Sequence, residues 1–138
     1  MKDLKKARQL LAGEYTCVVC REDTVYTTTR RGVKPLVSWL EEGMDLRGFS
    51  AADRVIGRAT AFLYVLLGVR SVWARVMSAP AAQVLRDAGI EASCEAEVPG
   101  IINRRGDGPC PFEAAVLTVT DPAEALAAIR RKMAEMGI

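Results

Sequence analysis

The stretch that decides the fold is residues 50–68, SAADRVIGRATAFLYVLLG. Ser50 followed three residues later by Asp53 has the spacing of an acidic capping box, which marks the start of a helix. The largely apolar run that follows indicates that this helix is buried. We therefore expect residues 50–68 to form the central helix of the protein.

Downstream of this stretch, helical and strand patterns alternate. SVWARVMS, residues 71–78, alternates as a strand does, and residues 80–88 read as a helix stopped by Gly89. IEASCEAEV, residues 90–98, reads as another strand. Alternating helices and strands favour an α/β sheet in which neighbouring strands are parallel.

The two ends of the chain supply four further elements. They are a helix with apolar residues at Leu4, Ala7, Leu10 and Leu11, a β-hairpin over 15–29, a helix within 32–43, and a final helix after Asp121. Asp121 takes the N-cap position of the final helix, and Pro122 takes its first position.

Length and composition indicate one soluble domain over residues 1–138, because two domains of this size would each lack a sufficient core. The net charge of +2 gives no strong nucleic-acid signal. The longest apolar run, residues 59–69, is too short to cross a bilayer, so we expect a cytoplasmic protein without membrane contact. The four cysteines are expected to be thiols, and a homo-oligomer formed through an exposed sheet edge stays open.

Cys110 lies in CPFE, residues 110–113, which has the same form as DPAE at the start of the final helix. Cys110 therefore takes an N-cap position, where sulfur is a poor substitute for oxygen. One interpretation is a small buried hydrophobic residue at a turn. The other is a functional thiol, which the helix N-terminus would favour as a thiolate and Glu113 would oppose.

The loop before Cys110 has two interpretations as well. Its residues are Asn103, Arg104, Gly106, Asp107 and Gly108. Each is a common turn residue. Together with the arginine, their backbone N–H groups also suit an anion-binding loop.

Four stretches resemble a small prokaryotic family, domain of unknown function 1893. They are RGVKPL at 31–36, SAADRVIGRA at 50–59, SAPAAQVL at 78–85 and IINRRGDGPCPFE at 101–113. The order of elements is similar to that of the cytidine-deaminase-like fold. The resemblance implies a three-layer α/β sandwich, with a mixed sheet, an N-terminal hairpin and helices on both faces.

Zinc deaminases hold their metal with a His or Cys on one helix and a P-C-x-x-C pair on the next. Here Ala81 and Val84 stand where the cysteine pair is expected, and the chain has no histidine. In CVVC, Cys17 and Cys20 would point to opposite faces of a strand. We therefore expect no metal and no cofactor.

In this fold, ligands approach the N-terminal ends of the two central helices, which implies that Asp53, Arg58 and Ser78 lie near the site, with Lys34 a weaker candidate. Structural interpretations of Asp53 as a capping partner and Arg58 as a surface cation stay open.

Our hypothesis is a metal-free protein that binds a small anionic or nucleotide-like ligand between residues 53–58 and 103–113. If it is an enzyme, Cys110 is the candidate nucleophile, and Asp53, Asp107 or Glu113 is the acid or base. The alternative is a non-catalytic module for protein or RNA contacts, which an exposed tryptophan beside a basic stripe would favour.

Overall fold

The computed structural model describes residues 2–103 and 105–138. The helices are α1 (Lys2–Leu11), α2 (Lys34–Glu41), α3 (Arg58–Leu67), α4 (Ala79–Asp87), α5 (Pro111–Ala115) and α6 (Pro122–Met136). The strands are β1 (Cys17–Arg21), β2 (Thr24–Thr28), β3 (Ser50–Ile56), β4 (Ser71–Ser78) and β5 (Glu91–Val98). No helix in these two ranges is long and apolar enough to cross a membrane.

The strands form one mixed sheet in the order β2-β1-β3-β4-β5. β1 pairs antiparallel with both β2 and β3, whereas β3, β4 and β5 run parallel. The parallel strands are joined through α3 and α4, as the alternation of patterns predicts. The predicted mixed sheet with an N-terminal hairpin is confirmed.

Helices cover both faces of the sheet, so the predicted three-layer sandwich is confirmed. α1 packs alone on one face, where Ala7 and Leu11 contact a cluster that contains Val18, Ala52 and Trp73. The larger cluster lies on the opposite face and includes buried residues of every other helix. The two faces of β1 and β3 are therefore both buried, and this burial fixes which side chains point toward α3.

The prediction of one helix over residues 50–68 is wrong in its first part. Residues 50–56 form β3, whose backbone pairs with β1 on one side and β4 on the other. Ser50 does not cap a helix, because its hydroxyl accepts a hydrogen bond from Ser71 at 2.7 Å. Asp53 is consequently not a capping partner, and Arg58 is the first residue of α3 rather than a residue one turn further in.

The other helix starts agree with the sequence patterns. Ser78 caps α4, with its hydroxyl oxygen 3.2 Å from the backbone nitrogen of Ala81. Asp121 caps α6 by accepting from the backbone N–H of Glu124 at 3.0 Å. Cys110 holds the N-cap position of α5, although its sulfur accepts no capping hydrogen bond. The segment after Cys110 is therefore a short helix, as the CPFE motif predicts.

Candidate functional site

A cavity of about 380 Å³ lies at the carboxyl end of β3, beside the first turn of α3. Its lining comes from four parts of the chain: the hairpin exit and start of α2 (30–33, 35 and 36), the end of β3 (53–55 and 57), the first turn of α3 (59–60), and, in and before α5, residues 101, 110, 112 and 113. Thr16 and Cys17 at the start of β1 complete the lining. The cavity therefore forms where the antiparallel and parallel halves of the sheet meet.

Three polar side chains form a hydrogen-bonded chain behind this cavity. Cys17 and Asp53 are direct partners in the register of β1 and β3, so they share the face that α3 covers. Tyr64 of α3 donates its hydroxyl proton to Oδ2 of Asp53 at 2.7 Å. Because that proton is committed, the thiol of Cys17 is the donor to the Tyr64 oxygen, at 3.0 Å.

Burial controls the protonation of this chain. Desolvation raises the pKa of Asp53 to about 6, although hydrogen bonds from Tyr64 and the backbone oppose the rise. Burial also raises the pKa of Cys17 and of Tyr64 well above their ordinary values, and the Asp53 carboxylate adds to both shifts. At neutral pH the trio therefore holds a thiol, a phenol and one carboxylate.

Glu113 of α5 occupies the N-terminus of α3. Its Oε1 accepts from the backbone N–H of Arg58 at 2.7 Å, and its Oε2 accepts from that of Ala59 at 2.9 Å. A carboxylate at this position pairs two otherwise free N–H groups and complements the positive end of the helix dipole. Gly57 is the N-cap residue of α3 and has no side chain that could cap the helix. Glu113, 55 positions from Arg58 in the sequence, supplies the cap instead.

The Arg58 side chain forms hydrogen bonds within the protein. Its guanidinium donates to the carbonyl of Val116 at 3.3 Å and to that of Val119. Together with its backbone N–H to Glu113, Arg58 connects the start of α3 to the middle of α5 and to the residues that follow α5. These hydrogen bonds give Arg58 a structural role. Its role in ligand binding stays a prediction.

The loop before Cys110 is held by its own hydrogen bonds. Oδ1 of Asn103 accepts from the backbone N–H groups of Gly106 and Asp107, and its Nδ2 donates to Asp107. Gly106 has a φ of 76°, a left-handed conformation that favours glycine. The turn interpretation therefore explains these residues, and Arg104 lies outside the described residues.

The structure brings three of the predicted site residues to the cavity. They are Asp53, Cys110 and Glu113. Six other predicted residues do not line it in the described part of the chain: Lys34, Arg58, Ser78, Asn103, Gly106 and Asp107. Gly108 is likewise outside the lining, next to the Asn103 side chain. Contact between these residues and a ligand stays a prediction.

The cysteines do not combine into a metal site. Cys17 packs in the core under α3, whereas Cys20 packs in the cluster under α1, on opposite faces of β1. The starts of α3 and α4 hold Arg58, the Glu113 carboxylate and Ser78, a set that does not fit the thiolate and imidazole ligands of a deaminase zinc. Within the described ranges, no group of three or more Cys, Asp or Glu side chains is placed to hold a metal ion.

The family assignment follows from the chain as a whole. A family model described as domain of unknown function (DUF1893) matches residues 5–133. The chain belongs to this family. A DUF1893 family protein (TM1506) from Thermotoga maritima is 23% identical, covers 95% of this chain and 90% of its own, and superposes with a TM-score of 0.87. The two DUF1893 proteins therefore share one fold.

Two deaminases are more distant. A dCMP deaminase from the cyanophage S-TIM5 is 13% identical, with 67% of this chain and 94% of that chain covered. A diaminohydroxyphosphoribosylaminopyrimidine deaminase/5-amino-6-(5-phosphoribosylamino)uracil reductase from Thermotoga maritima is 15% identical, with 67% and 35% covered. Both have a TM-score of 0.44, a likeness too weak to indicate chemistry. A comparison with curated proteins gave no match.

Four residues of this DUF1893 chain matter to the chemistry at or behind the cavity and were not predicted as site residues. They are Cys17, Arg30, Arg31 and, behind the wall, Tyr64. Tyr64 is the one side chain with a hydroxyl-bearing ring in the apolar run 59–69, and a buried phenol needs a hydrogen-bond partner. The need of a buried phenol for a partner could have pointed to Tyr64 from the sequence. Its partner Asp53 is identified only by the position of α3 over the paired strands β1 and β3.

Proposed function

We propose that this DUF1893 protein binds a small anionic, nucleotide-like molecule in the cavity beside α3. The observation that carries the proposal is the cavity itself, whose volume of about 380 Å³ lies within the range of small-molecule sites. It combines apolar walls with a few polar groups on separate elements. That combination is typical of a site that orients a ligand.

The apolar walls suit the body of the ligand. Val33, Leu36 and Phe112 are buried and line the cavity from two sides. A planar ring placed between them removes apolar surface from water on both of its faces. The walls therefore favour a heterocycle or another flat, mostly apolar group.

The arginines at the opening suit the anionic end of the ligand. Arg30 and Arg31 line the cavity and are exposed, which places them where the cavity meets solvent. Neither guanidinium forms a salt bridge within residues 2–103 and 105–138. Guanidinium groups bind phosphate and carboxylate through paired N–H donors, so the opening supports an anion.

The helix N-terminus is a poorer place for that anion. Glu113 already accepts from the first N–H groups of α3, and the Arg58 guanidinium is committed to carbonyl groups. A second anion at this position would meet a carboxylate at close range. We therefore place the anionic group of the ligand at Arg30 and Arg31 and its apolar body inside.

Cys110 is the partly exposed thiol of the cavity wall. Thiol chemistry on a bound ligand would proceed through this residue, because the thiol of Cys17 is buried and already donates to Tyr64. This part of the proposal rests on position alone.

The alternative of a protein or RNA interaction module is not favoured. It would be supported by an exposed tryptophan beside basic residues. Trp73 is buried, with the Arg8 guanidinium 4.3 Å from its ring centroid, and Trp39 packs partly against the larger core. Both aromatic rings therefore contribute to packing.

A thermal-shift comparison tests the proposal. Adenosine 5′-monophosphate and adenosine differ only in the phosphate, so the arginines should make the monophosphate the better stabiliser. A ligand at about 100 times its Kd adds roughly 2.7 kcal/mol to the free energy of unfolding. We expect the double variant Arg30→Ala/Arg31→Ala to lose the advantage of the monophosphate.

The matched control is Arg86→Ala/Arg131→Ala, which removes two exposed arginines from α4 and α6, away from the cavity. This control should retain the wild-type response. Equal stabilisation by adenosine and its monophosphate, or an equal response of the two double variants, would contradict the proposal.

A further inference from the structure

The Asp53 carboxylate has unused accepting capacity on the inner wall of the cavity. Its Oδ2 accepts from Tyr64 at 2.7 Å, and its Oδ1 accepts a long hydrogen bond from the backbone N–H of Val55 at 3.4 Å. Each carboxylate oxygen can accept two hydrogen bonds. At least one strong acceptor position of Asp53 is therefore left for a group inside the cavity.

The cations of the cavity do not satisfy Asp53. The Arg54 guanidinium donates to the carbonyls of Tyr15 and Gly13, and no salt bridge in the described ranges includes Asp53. Arg30 and Arg31 are exposed at the opening. Within the described ranges, the inner wall thus presents a carboxylate with spare accepting capacity and no cationic partner, whereas the opening presents guanidinium donors.

We propose that Asp53 binds the inner end of the ligand by accepting a hydrogen bond from an amino group on a planar heterocycle. This inference rests on the proposed function and names the ligand class more narrowly. Tyr64 is a positioning residue, because its hydrogen bond fixes the carboxylate beside Cys17 on the face toward α3. The ligand is then an aminoheterocycle whose anionic group reaches the arginines.

The hydrogen bond is stronger with the ionised form of Asp53, because the acceptor then carries a charge. The groups that face it are Cys17 from β1 and Tyr64 from α3, both of which stay neutral at pH 7. The other titratable or charged residues that line the cavity are Glu113, Cys110, Arg30, Arg31 and Arg54. Since the pKa of Asp53 is about 6, affinity for an amino group falls as the pH drops below that value.

The probes are 2-aminopurine and purine, which differ by one amino group and carry no phosphate. Binding is followed by the fluorescence of 2-aminopurine and by calorimetry for purine, between pH 5 and pH 8. We expect wild type to prefer 2-aminopurine by about tenfold or more at pH 7.5, the range for a hydrogen bond to a charged group. The preference should decline below pH 6.

Three variants test whether Asp53 is responsible for the preference for 2-aminopurine. Asp53→Asn should lose most of it and all of its pH dependence, whereas Asp87→Asn, on the exposed end of α4, should keep both. Tyr64→Phe removes a hydrogen bond that lowers the pKa of Asp53, so the midpoint of its pH profile should move upward. That shift distinguishes positioning of the carboxylate from a general loss of structure.

The outcomes separate this inference from the proposed function. Equal affinity for the two bases, binding of neither at millimolar concentration, or an unchanged preference in Asp53→Asn would overturn the role of Asp53. None of these results depends on Arg30 or Arg31. Failure of the arginine variants to change phosphate binding would instead overturn the anion site and leave the result for Asp53 standing.

Discussion

Gly57 and Glu113 are fitted to each other: a Cβ atom at Gly57 would lie 2.6 Å from Cδ of Glu113 and 2.9 Å from Cγ1 of Ile101. Real Cβ atoms do not approach other atoms so closely. The backbone of Gly57 is extended, so its conformation would suit any residue. Glycine is required here for space, because the carboxylate that caps α3 passes directly over it.

Gly57→Ala should therefore displace Glu113 and destabilise the protein. Forcing one methyl group into a filled site costs about 1–3 kcal/mol, and urea denaturation measures this free energy of unfolding. Gly100→Ala is the control, because nothing lies within 4 Å of a Cβ atom at Gly100. Equal stability of the two variants would show that Glu113 does not depend on Gly57.

Substitution of Glu113 should show how much the cap of α3 contributes to the stability of the protein. Glu113→Ala leaves the N–H groups of Arg58 and Ala59 without a carboxylate, and loss of a helix cap costs about 0.5–2 kcal/mol. Glu113→Gln keeps one accepting oxygen and should lose less. Thermal denaturation gives the order, with the exposed Glu14→Ala as a control that changes little. If Gln and Ala are equally destabilising, the two-oxygen cap is not what stabilises α3.

The raised pKa of Asp53 predicts that the stability of the protein depends on pH. Its pKa is about 6 in the folded protein and lower in the unfolded chain, so the folded state binds more protons between about pH 4 and pH 6. The free energy of unfolding should therefore fall as the pH rises through this window.

The comparison with Asp53→Asn isolates this effect, because Asn does not titrate. Relative to the variant, wild type should lose on the order of 2 kcal/mol between pH 4 and pH 7, measured by urea denaturation. A constant difference between wild type and variant across this range would show that Asp53 has an ordinary pKa.

The four thiols should react in two groups. Cys110 and Cys94 are partly exposed, whereas Cys17 and Cys20 are buried and burial raises the pKa of both. Cys94 is partly exposed because it lies on β5, at the edge of the sheet.

Iodoacetamide at pH 7.5, followed by mass spectrometry of the digest, should label Cys110 and Cys94 first and Cys17 last. Labelling in 8 M urea should remove the difference. A saturating anion that slows Cys110 and leaves Cys94 unchanged would place the ligand in the cavity. Rapid native labelling of Cys17 would contradict its burial.

The sequence predicted the elements whose patterns are local. The hairpin, α4, β5 and α6 follow from alternation, from proline at helix starts and from caps within four residues. β3 was missed because a strand buried on both faces has no alternation, and Ala51 and Ala52 face opposite layers. The Ser50 and Asp53 spacing fits a cap equally well.

Asp53, Cys110 and Glu113 were named as site residues from the sequence, but the contacts that hold two of them in place were not. Cys110 and Glu113 lie in one short motif and do line the cavity together. The contact of Asp53 with Tyr64 depends on a strand register and on the position of α3 over it. The contact of Glu113 with Arg58 spans most of the fold, and no periodicity in the sequence encodes it.

Arg58 links the α5 wall of the cavity to α3 through both its backbone and its side chain. Its backbone N–H reaches Glu113 before α5 ends, and its guanidinium reaches the carbonyls of Val116 and Val119 after it. An outward movement of α5 would therefore break the hydrogen bonds between Glu113 and the first turn of α3. We therefore expect displacement of this wall and fraying of the first turn of α3 to occur together.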